Sequence, residues 1–281
     1  MTRAPVGRLA GRVCLITGST GIAAASATRL ASEGATIFVV SRTEAHARDL
    51  AAAIDQAGGR AAYLAGDLAE DGIAEAAAAT CVARFGRIDG LLSVAGGSGR
   101  RFGDGSIHRM TAEAWDRTIA LNLRSQALVA GAVVRRMLEQ PQTDAGSRGS
   151  VVLVSSVLAT SPVPGLFETH AYAAAKGGIA GLALAMAAAY APARIRVNTL
   201  APGLTTTPMA VRAAADAATV AFARRKQPLV DGFLGAGDIA AAAVFLLADE
   251  SRAVTGQVLA VDGGWAVTSV APEAGVSEPG G

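Results

Sequence analysis

Residues 13–32 read VCLITGSTGIAAASATRLAS, and this stretch decides the fold. Val13–Thr17 is an apolar, β-branched run too short for a helix and the right length for a buried strand. Gly18 and Gly21 then bracket a polar turn, Ser19-Thr20, and an alanine-rich segment with helical character runs on from Ile22 to Ser32. Strand, glycine turn and helix open a βαβ unit, and at such a turn backbone N–H groups and the positive helix end face a phosphate. The turn alone is a weak motif, because any glycine-rich corner of a sheet reads the same way.

The alternation continues outward. Short apolar runs recur at 36–40, 61–65, 90–95, 150–156, 195–202 and 257–264, with helical patterns near 43–57, 70–85, 111–140, 171–191 and 237–249. This predicts one α/β domain: a doubly wound, mostly seven-stranded parallel sheet with helices on both faces, Rossmann-like. Its core is expected over residues 9–268. Segments 96–106 and 140–150 carry loop chemistry. The stretch 203–235 mixes helix formers with Thr, Pro and Gly and is expected to be a mobile lid, because ligands in this architecture sit beyond the carboxyl ends of the strands. The tail 271–281 is expected to be disordered.

Composition excludes several classes. A formal net charge of +2 is too small to argue for nucleic acid or a membrane surface. Every long apolar run is interrupted by Gly, Ser or charge, so no membrane span is expected. The two cysteines, Cys14 and Cys81, read as buried apolar fillers, and the scattered His46, His108 and His170 predict no metal site. With no apolar segment after the first arginines, a cytoplasmic location is expected.

Two further patterns carry chemistry. The second strand ends in Ser41-Arg42, where an NAD-specific site commonly places a carboxylate for the ribose 2′-hydroxyl. A guanidinium there favours a 2′-phosphate, hence NADP(H), with NAD(H) as the alternative. Tyr172 and Lys176 lie four apart in AYAAAKGGIAGLALAMAAAY and so share a helix face. An ammonium beside a phenol, reinforced by a positive nicotinamide, is expected to bring the phenol into the working range of an acid–base group. Ser155-Ser156 closes a strand whose end lines the ligand crevice. Asn122, polar within LNL, reads either as a satisfied buried amide or as the holder of a water that relays protons to Lys176.

Taken in register, TGSTGIA, Asp67-Leu68, Ala95-Gly96, Asn122, Ser156, Tyr172 with Lys176, Asn198, Pro202-Gly203 with Thr207, and VTGQVLAVDGG resemble the short-chain dehydrogenase/reductase family, in its short single-domain branch. The resemblance covers residues 9 to 268. It implies a hydride-transferring oxidoreductase acting on a carbonyl or secondary alcohol of a small molecule. Gly18, Ser19, Thr20, Gly21 and Ile22 would hold the pyrophosphate and adjoining ribose, with Ser41 and Arg42 at the adenosine ribose. Asp67, Leu68, Ala95 and Gly96 would line the adenosine side. Pro202, Gly203, Thr205 and Thr207 would bracket the carboxamide. Lys176 would bind the nicotinamide ribose and tune Tyr172, the proton donor, while Ser156 orients the carbonyl. The family usually pairs its helices into homodimers and homotetramers, and helices 111–140 and 171–191 are apolar enough to do so.

The sequence departs from the family pattern in three places. The glycine turn is one residue short and ends in alanine, Val94 stands where asparagine is usual, and the gap from Ser156 to Tyr172 is about three residues longer. That last departure is expected to place Phe167, Glu168 and His170 near the pocket mouth, as loop packing and solvated rim, with one substrate-selective residue among them as the alternative. The basic clusters Arg100-Arg101 and Arg224-Arg225-Lys226 read as solvated faces, with an acidic substrate or an acyl-carrier phosphopantetheine as the functional alternative. From another class stands a cofactor-binding sensor or scaffold with little turnover, separable by Tyr172→Phe.

Overall fold

Alternate residues of the first strand face two different cores. In the computed structural model, which describes residues 7–269, Val13 and Leu15 of β1 (Val13–Thr17) join one apolar cluster and Cys14 and Ile16 join the other. The next strand, β2 (Thr36–Ser41), repeats this, with Phe38 and Val40 on one side and Ile37 and Val39 on the other. A strand buried on both faces needs apolar residues at every position, which is why these runs are continuous rather than alternating. Each fully buried Leu, Ile or Val contributes about 1.5–3 kcal/mol.

The remaining strands are β3 (Arg60–Ala65), β4 (Gly90–Ser93), β5 (Gly149–Val154), β6 (Ile195–Pro202) and β7 (Val258–Val261). All pair in parallel in the order β3-β2-β1-β4-β5-β6-β7. The order reverses between β1 and β4, the switch point at which doubly wound sheets open a crevice. Helices α1 (Ile22–Ser32), α2 (Glu44–Gln56) and α9 (Ala236–Leu247) cover one face. The other is covered by α3 (Ile73–Phe85), α5 (Ser125–Glu139) and α6 (His170–Tyr190), with α4 (Ala112–Ile119) leading into α5. The expected single α/β domain with a seven-stranded parallel sheet is therefore what the chain forms, although β7 is a half-exposed edge.

Two expectations meet a different outcome. The pattern 111–140 is not one regular helix, because a π-helical turn, Ala120–Arg124, separates α4 from α5 and holds Asn122. Helix α6, continued through the turn to Ala193, is long and apolar enough by length and composition to span a bilayer, so interruption by small residues does not exclude it. Here it carries buried Lys176 and packs against α4, β5 and β6 as a layer of the domain. The tail 271–281 lies outside the described residues.

Segment 203–235 folds over the carboxyl ends of the strands as two short helices, α7 (Val211–Ala215) and α8 (Ala217–Lys226), with turns on either side. Buried Gln227 braces it: its Oε1 accepts from the Leu204 N–H at 2.6 Å, and its Nε2 donates to the Leu204 carbonyl at 3.0 Å and to that of Gly232. A parallel bridge joins Thr205 to Leu234.

Candidate active site

The turn after β1 is built by two glycines at positive φ, Gly18 at 93° and Gly21 at 55°. Side chains rarely adopt these angles, and a Cβ on Gly21 would also lie 3.0 Å from Thr207 Cγ2. The alanine at the end of the turn fits: Ala23 is buried, and its methyl sits 3.1 Å from where a Cβ on Gly18 would be. Gly21 caps α1 without any side-chain hydrogen bond, and no acid occupies the first helical turn. The exposed N–H groups and positive helix end are thus left facing the cavity. The usual asparagine at Val94 has a replacement as a strand tie, since the Thr17 hydroxyl accepts from the Ala95 N–H at 2.9 Å and lies 3.4 Å from that of Ser93.

Loops after β1, β4, β5 and β6 enclose one cavity of about 310 Å³. Of the residues expected at the site, Gly18, Ser19, Thr20, Gly21, Ile22, Ala95, Gly96, Ser156, Tyr172, Lys176, Pro202, Gly203, Thr205 and Thr207 all line it. Ser41 and Arg42 stand beyond its wall, where the Ser41 hydroxyl lies 2.8 Å from that of Ser19 and ties the end of β2 to the glycine turn. The Arg42 guanidinium lies 3.6 Å from the Asp67 carboxylate, so these two also share that end. Leu68 is buried beside them in sequence and packs into the core.

Asn122 is fully buried and does not line the cavity. Its Nδ2 donates to the carbonyls of Gly97 at 3.0 Å and Thr118 at 2.9 Å, and its Oδ1 accepts from the Gly97 N–H at 3.0 Å. The satisfied-amide reading describes this side chain, which fixes the loop after β4. Gly96 separates it from Lys176: a Cβ there would lie 2.6 Å from Asn122 Oδ1 and 3.6 Å from Lys176 Nζ.

Tyr172 and Lys176 face the same space, with Nζ 5.5 Å from the centre of the phenol ring. The ammonium donates to the Val154 carbonyl at 2.8 Å, an oxygen that also accepts from Gln126 Nε2 at 3.0 Å. Ser155 also lines the cavity, and its hydroxyl is committed to the Lys176 carbonyl, donating at 2.6 Å and locking β5 to α6. The Ser156 hydroxyl accepts the Leu158 N–H at 3.2 Å. Burial pushes Tyr172 up to about 12 against the opposing pull of the Ser156 hydroxyl, and burial alone pushes Lys176 down to about 7. The lowering of the phenol was expected from the ammonium together with the nicotinamide; in the polypeptide alone desolvation holds the phenol up and it keeps its proton.

Sequence reasoning missed three residues here. Asp104 is buried and accepts the N–H groups of Ala171 and Tyr172, both at 3.0 Å, capping α6 from a distant loop. Trp265, fully buried, forms an aromatic wall with Phe167 and Phe222, and its position directly after VDGG was the available signal. Arg212 of α7 also lines the cavity, as does the sequence-flagged Arg100. In contrast, Arg101 stacks on Phe102, Arg224 faces Asp231 and Lys226 donates to the Thr268 carbonyl, all outside the cavity lining.

Known proteins share this arrangement across nearly the whole chain. A family model described as enoyl-(acyl carrier protein) reductase matches residues 16–266. The chain is 38% identical to the short-chain reductase protein NovJ of Streptomyces niveus, over 90% of this chain and 93% of that one. It is 34% identical to the cis-4-hydroxycyclohexanecarboxylate dehydrogenase of Sinomonas cyclohexanicum, over 91% and 97% respectively. Among solved structures, a gluconate 5-dehydrogenase from Burkholderia cenocepacia J2315, in complex with NADP and tartrate, superposes with a TM-score of 0.84 at 32% identity, covering 93% of this chain and 98% of its own. With the parallel sheet, its switch-point cavity and these relatives in agreement, the chain belongs to the short-chain dehydrogenase/reductase family and is an oxidoreductase acting on CH–OH or C=O groups.

Proposed function

We propose that this protein is an NADP(H)-dependent reductase or dehydrogenase of a small carbonyl or secondary alcohol, with Tyr172 as the proton donor. One observation carries the reading: Tyr172, Ser156 and Lys176 converge on the cavity that also holds the glycine turn. That turn fits a pyrophosphate, because its uncapped helix end presents N–H groups and its glycines leave no Cβ in the way. When bound, the nicotinamide supplies or accepts the hydride.

The chain's own residues do the rest. In the reductive direction the half-buried Tyr172 phenol, kept neutral, carries the proton to the substrate oxygen, and the Ser156 hydroxyl orients that oxygen beside it. Lys176, fixed by the Val154 carbonyl, sits under the phenol ring and brings a positive charge toward the developing alkoxide whenever it is protonated. Asn122 holds the loop of Gly96 and Gly97 against which the cofactor lies. Ser41 and Arg42 favour the 2′-phosphate of NADP(H), and the Asp67 carboxylate partly offsets that preference. The solved relative described with NADP agrees with this choice. Segment 203–235 acts as the cover of the site.

Tyr172→Phe tests the assignment. It should lower turnover with NADPH by about 10²–10⁴-fold while cofactor binding persists, and a variant that reduces its best ketone at the unaltered rate would remove Tyr172 from the chemistry. We also propose self-association, supported by the exposed apolar Leu184, Leu138 and Trp115 on α6, α5 and α4. Light scattering at micromolar concentration should show a dimer or larger, and a monomer refutes it.

A further inference from the structure

We propose that Arg100 and Arg212 form a carboxylate-binding pair at the substrate end of the cavity, so that the preferred substrate is a small, largely hydrocarbon keto or hydroxy acid. The inference rests on the oxidoreductase reading above and deepens it by naming the substrate class.

Both residues line the same cavity, Arg100 from the loop after β4 and Arg212 from α7 in the covering segment. Arg100 is held in place, its Nη2 donating to the Leu166 carbonyl at 2.9 Å, which leaves its other N–H groups available. Neither guanidinium has a carboxylate within ion-pair distance among the described residues.

The nearby acids are committed elsewhere. Asp104 accepts the first N–H groups of α6, Glu168 takes the Ser106 hydroxyl and the Gly165 N–H, and Asp216 caps α8 through Thr219. Burial pushes the Arg100 guanidinium below its ordinary value, and the neighbouring Arg212 cation adds to that, with Asp104 and Glu168 opposing it. Like charges at a partly desolvated wall repel, and an anion placed between them turns that repulsion into two attractions. The planar guanidinium fork matches the paired oxygens of a carboxylate.

The rest of the cavity sets the body of the substrate. Val157, Leu158, Phe167, Leu204 and Trp265 present hydrocarbon and aromatic surface beside Tyr172. The cavity of about 310 Å³ must also admit the nicotinamide end of the cofactor, and a compact acid suits the space that remains.

The test compares 5-oxohexanoate and 3-oxocyclohexanecarboxylate with their methyl esters, using the whole enzyme and NADPH. The acids should be reduced with kcat/KM at least about tenfold above the esters. That ratio should fall toward unity in Arg212→Ala and in Arg100→Ala, and Arg212→Lys should retain part of it. If acid and ester are reduced equally well, or if the loss in both alanine variants falls on the KM of NADPH instead of the acid, the pairing is overturned while the oxidoreductase reading stands. Should neither ketone turn over, calorimetry of the NADP⁺-loaded enzyme with cyclohexanecarboxylate and cyclohexanecarboxamide decides. Tighter binding of the carboxylate that disappears in Arg100→Ala/Arg212→Ala supports the pair, and equal binding of acid and amide refutes it. Failure of the underlying reading shows separately, as ketone reduction that survives Tyr172→Phe.

Discussion

The Asp104 carboxylate accepts the backbone N–H of Tyr172 at 3.0 Å and that of Ala171 at the same distance, although it lies in a loop 67 or 68 residues upstream. Thr169, at the N-cap of α6, makes no side-chain hydrogen bond, and the first turn contains no acid. One distant carboxylate therefore caps the helix that carries both Tyr172 and Lys176, and it also complements the positive helix end.

Asp104 is thus a positioning residue, and its loss should loosen the turn that aims the phenol. Asp104→Ala is expected to cost about 1–2 kcal/mol of stability and to lower kcat by about ten- to a hundredfold through misplacement of the phenol. The KM for NADPH should change far less. Asp104→Asn keeps one of the two accepting oxygens and turns an NH2 toward the other N–H, so it should restore only part of the rate. Steady-state kinetics and urea melts of both variants check this, and an Asp104→Ala variant with unaltered kcat would remove the positioning role.

Arg42 sits 3.6 Å from Asp67 at the end of β2. Arg42→Ala should lower kcat/KM for NADPH by about ten- to thirtyfold, through loss of a charge-assisted contact to the 2′-phosphate. NADH should lose much less, because the freed Asp67 carboxylate suits a ribose hydroxyl and repels a phosphate. Parallel titrations with the two cofactors measure it, and equal losses for both are inconsistent with the role given to Arg42.

Burial lowers Lys176 from an ordinary 10.5 to about 7. Between those values the unfolded chain binds more protons than the folded one, so this group's contribution makes stability rise with pH. Below about pH 7 the cost of burying the cation is fully present. Lys176→Met should therefore be inactive and yet raise the Tm at pH 6, by about 5 °C, with the gain shrinking toward pH 10. The Val154 carbonyl keeps Gln126 as a donor, so the substitution strands no acceptor. Thermal melts across pH decide, and a gain independent of pH would point to packing instead.

Gly96 is bounded on one side by Asn122, whose amide is fixed at both ends. A methyl there would approach Oδ1 to 2.6 Å. Gly96→Ala should destabilise the protein by about 1–3 kcal/mol and weaken NADPH binding, since the loop after β4 must shift. Binding and melting curves on the purified variant test both effects together.

Much of this architecture was legible because each strand is short, apolar and bounded by turn residues. The run Ile195–Pro202 matches its strand end to end, and Val13–Thr17 likewise. The four-residue spacing of Tyr172 and Lys176 placed both on one helix face without further information. What stayed hidden depends on contacts between distant segments. The π-turn at Ala120–Arg124 has no Gly or Pro to announce it, and its wider turn accompanies Asn122 reaching across to Gly97. Asp104 lies in a glycine-rich loop and acquires a role only when that loop meets the start of α6. Arg212 reads as one cation among several, and the fold alone distinguishes it from Arg224 and Arg225. The helical spacing of Tyr172 and Lys176 reports a neighbour and says nothing of how much water is excluded, so the desolvation of both groups was not legible in the sequence.

The long segment between Ser156 and Tyr172 is sewn to the loop after β4 at several points: Arg100 to the Leu166 carbonyl, Ser106 to Glu168, and the Ile107 N–H to His170 Nδ1. The two loops consequently behave as a single inherited cassette. Transplanting one into a related enzyme without its mate would break three bonds at once and leave a frayed rim, so exchange of specificity between such enzymes requires moving both pieces together.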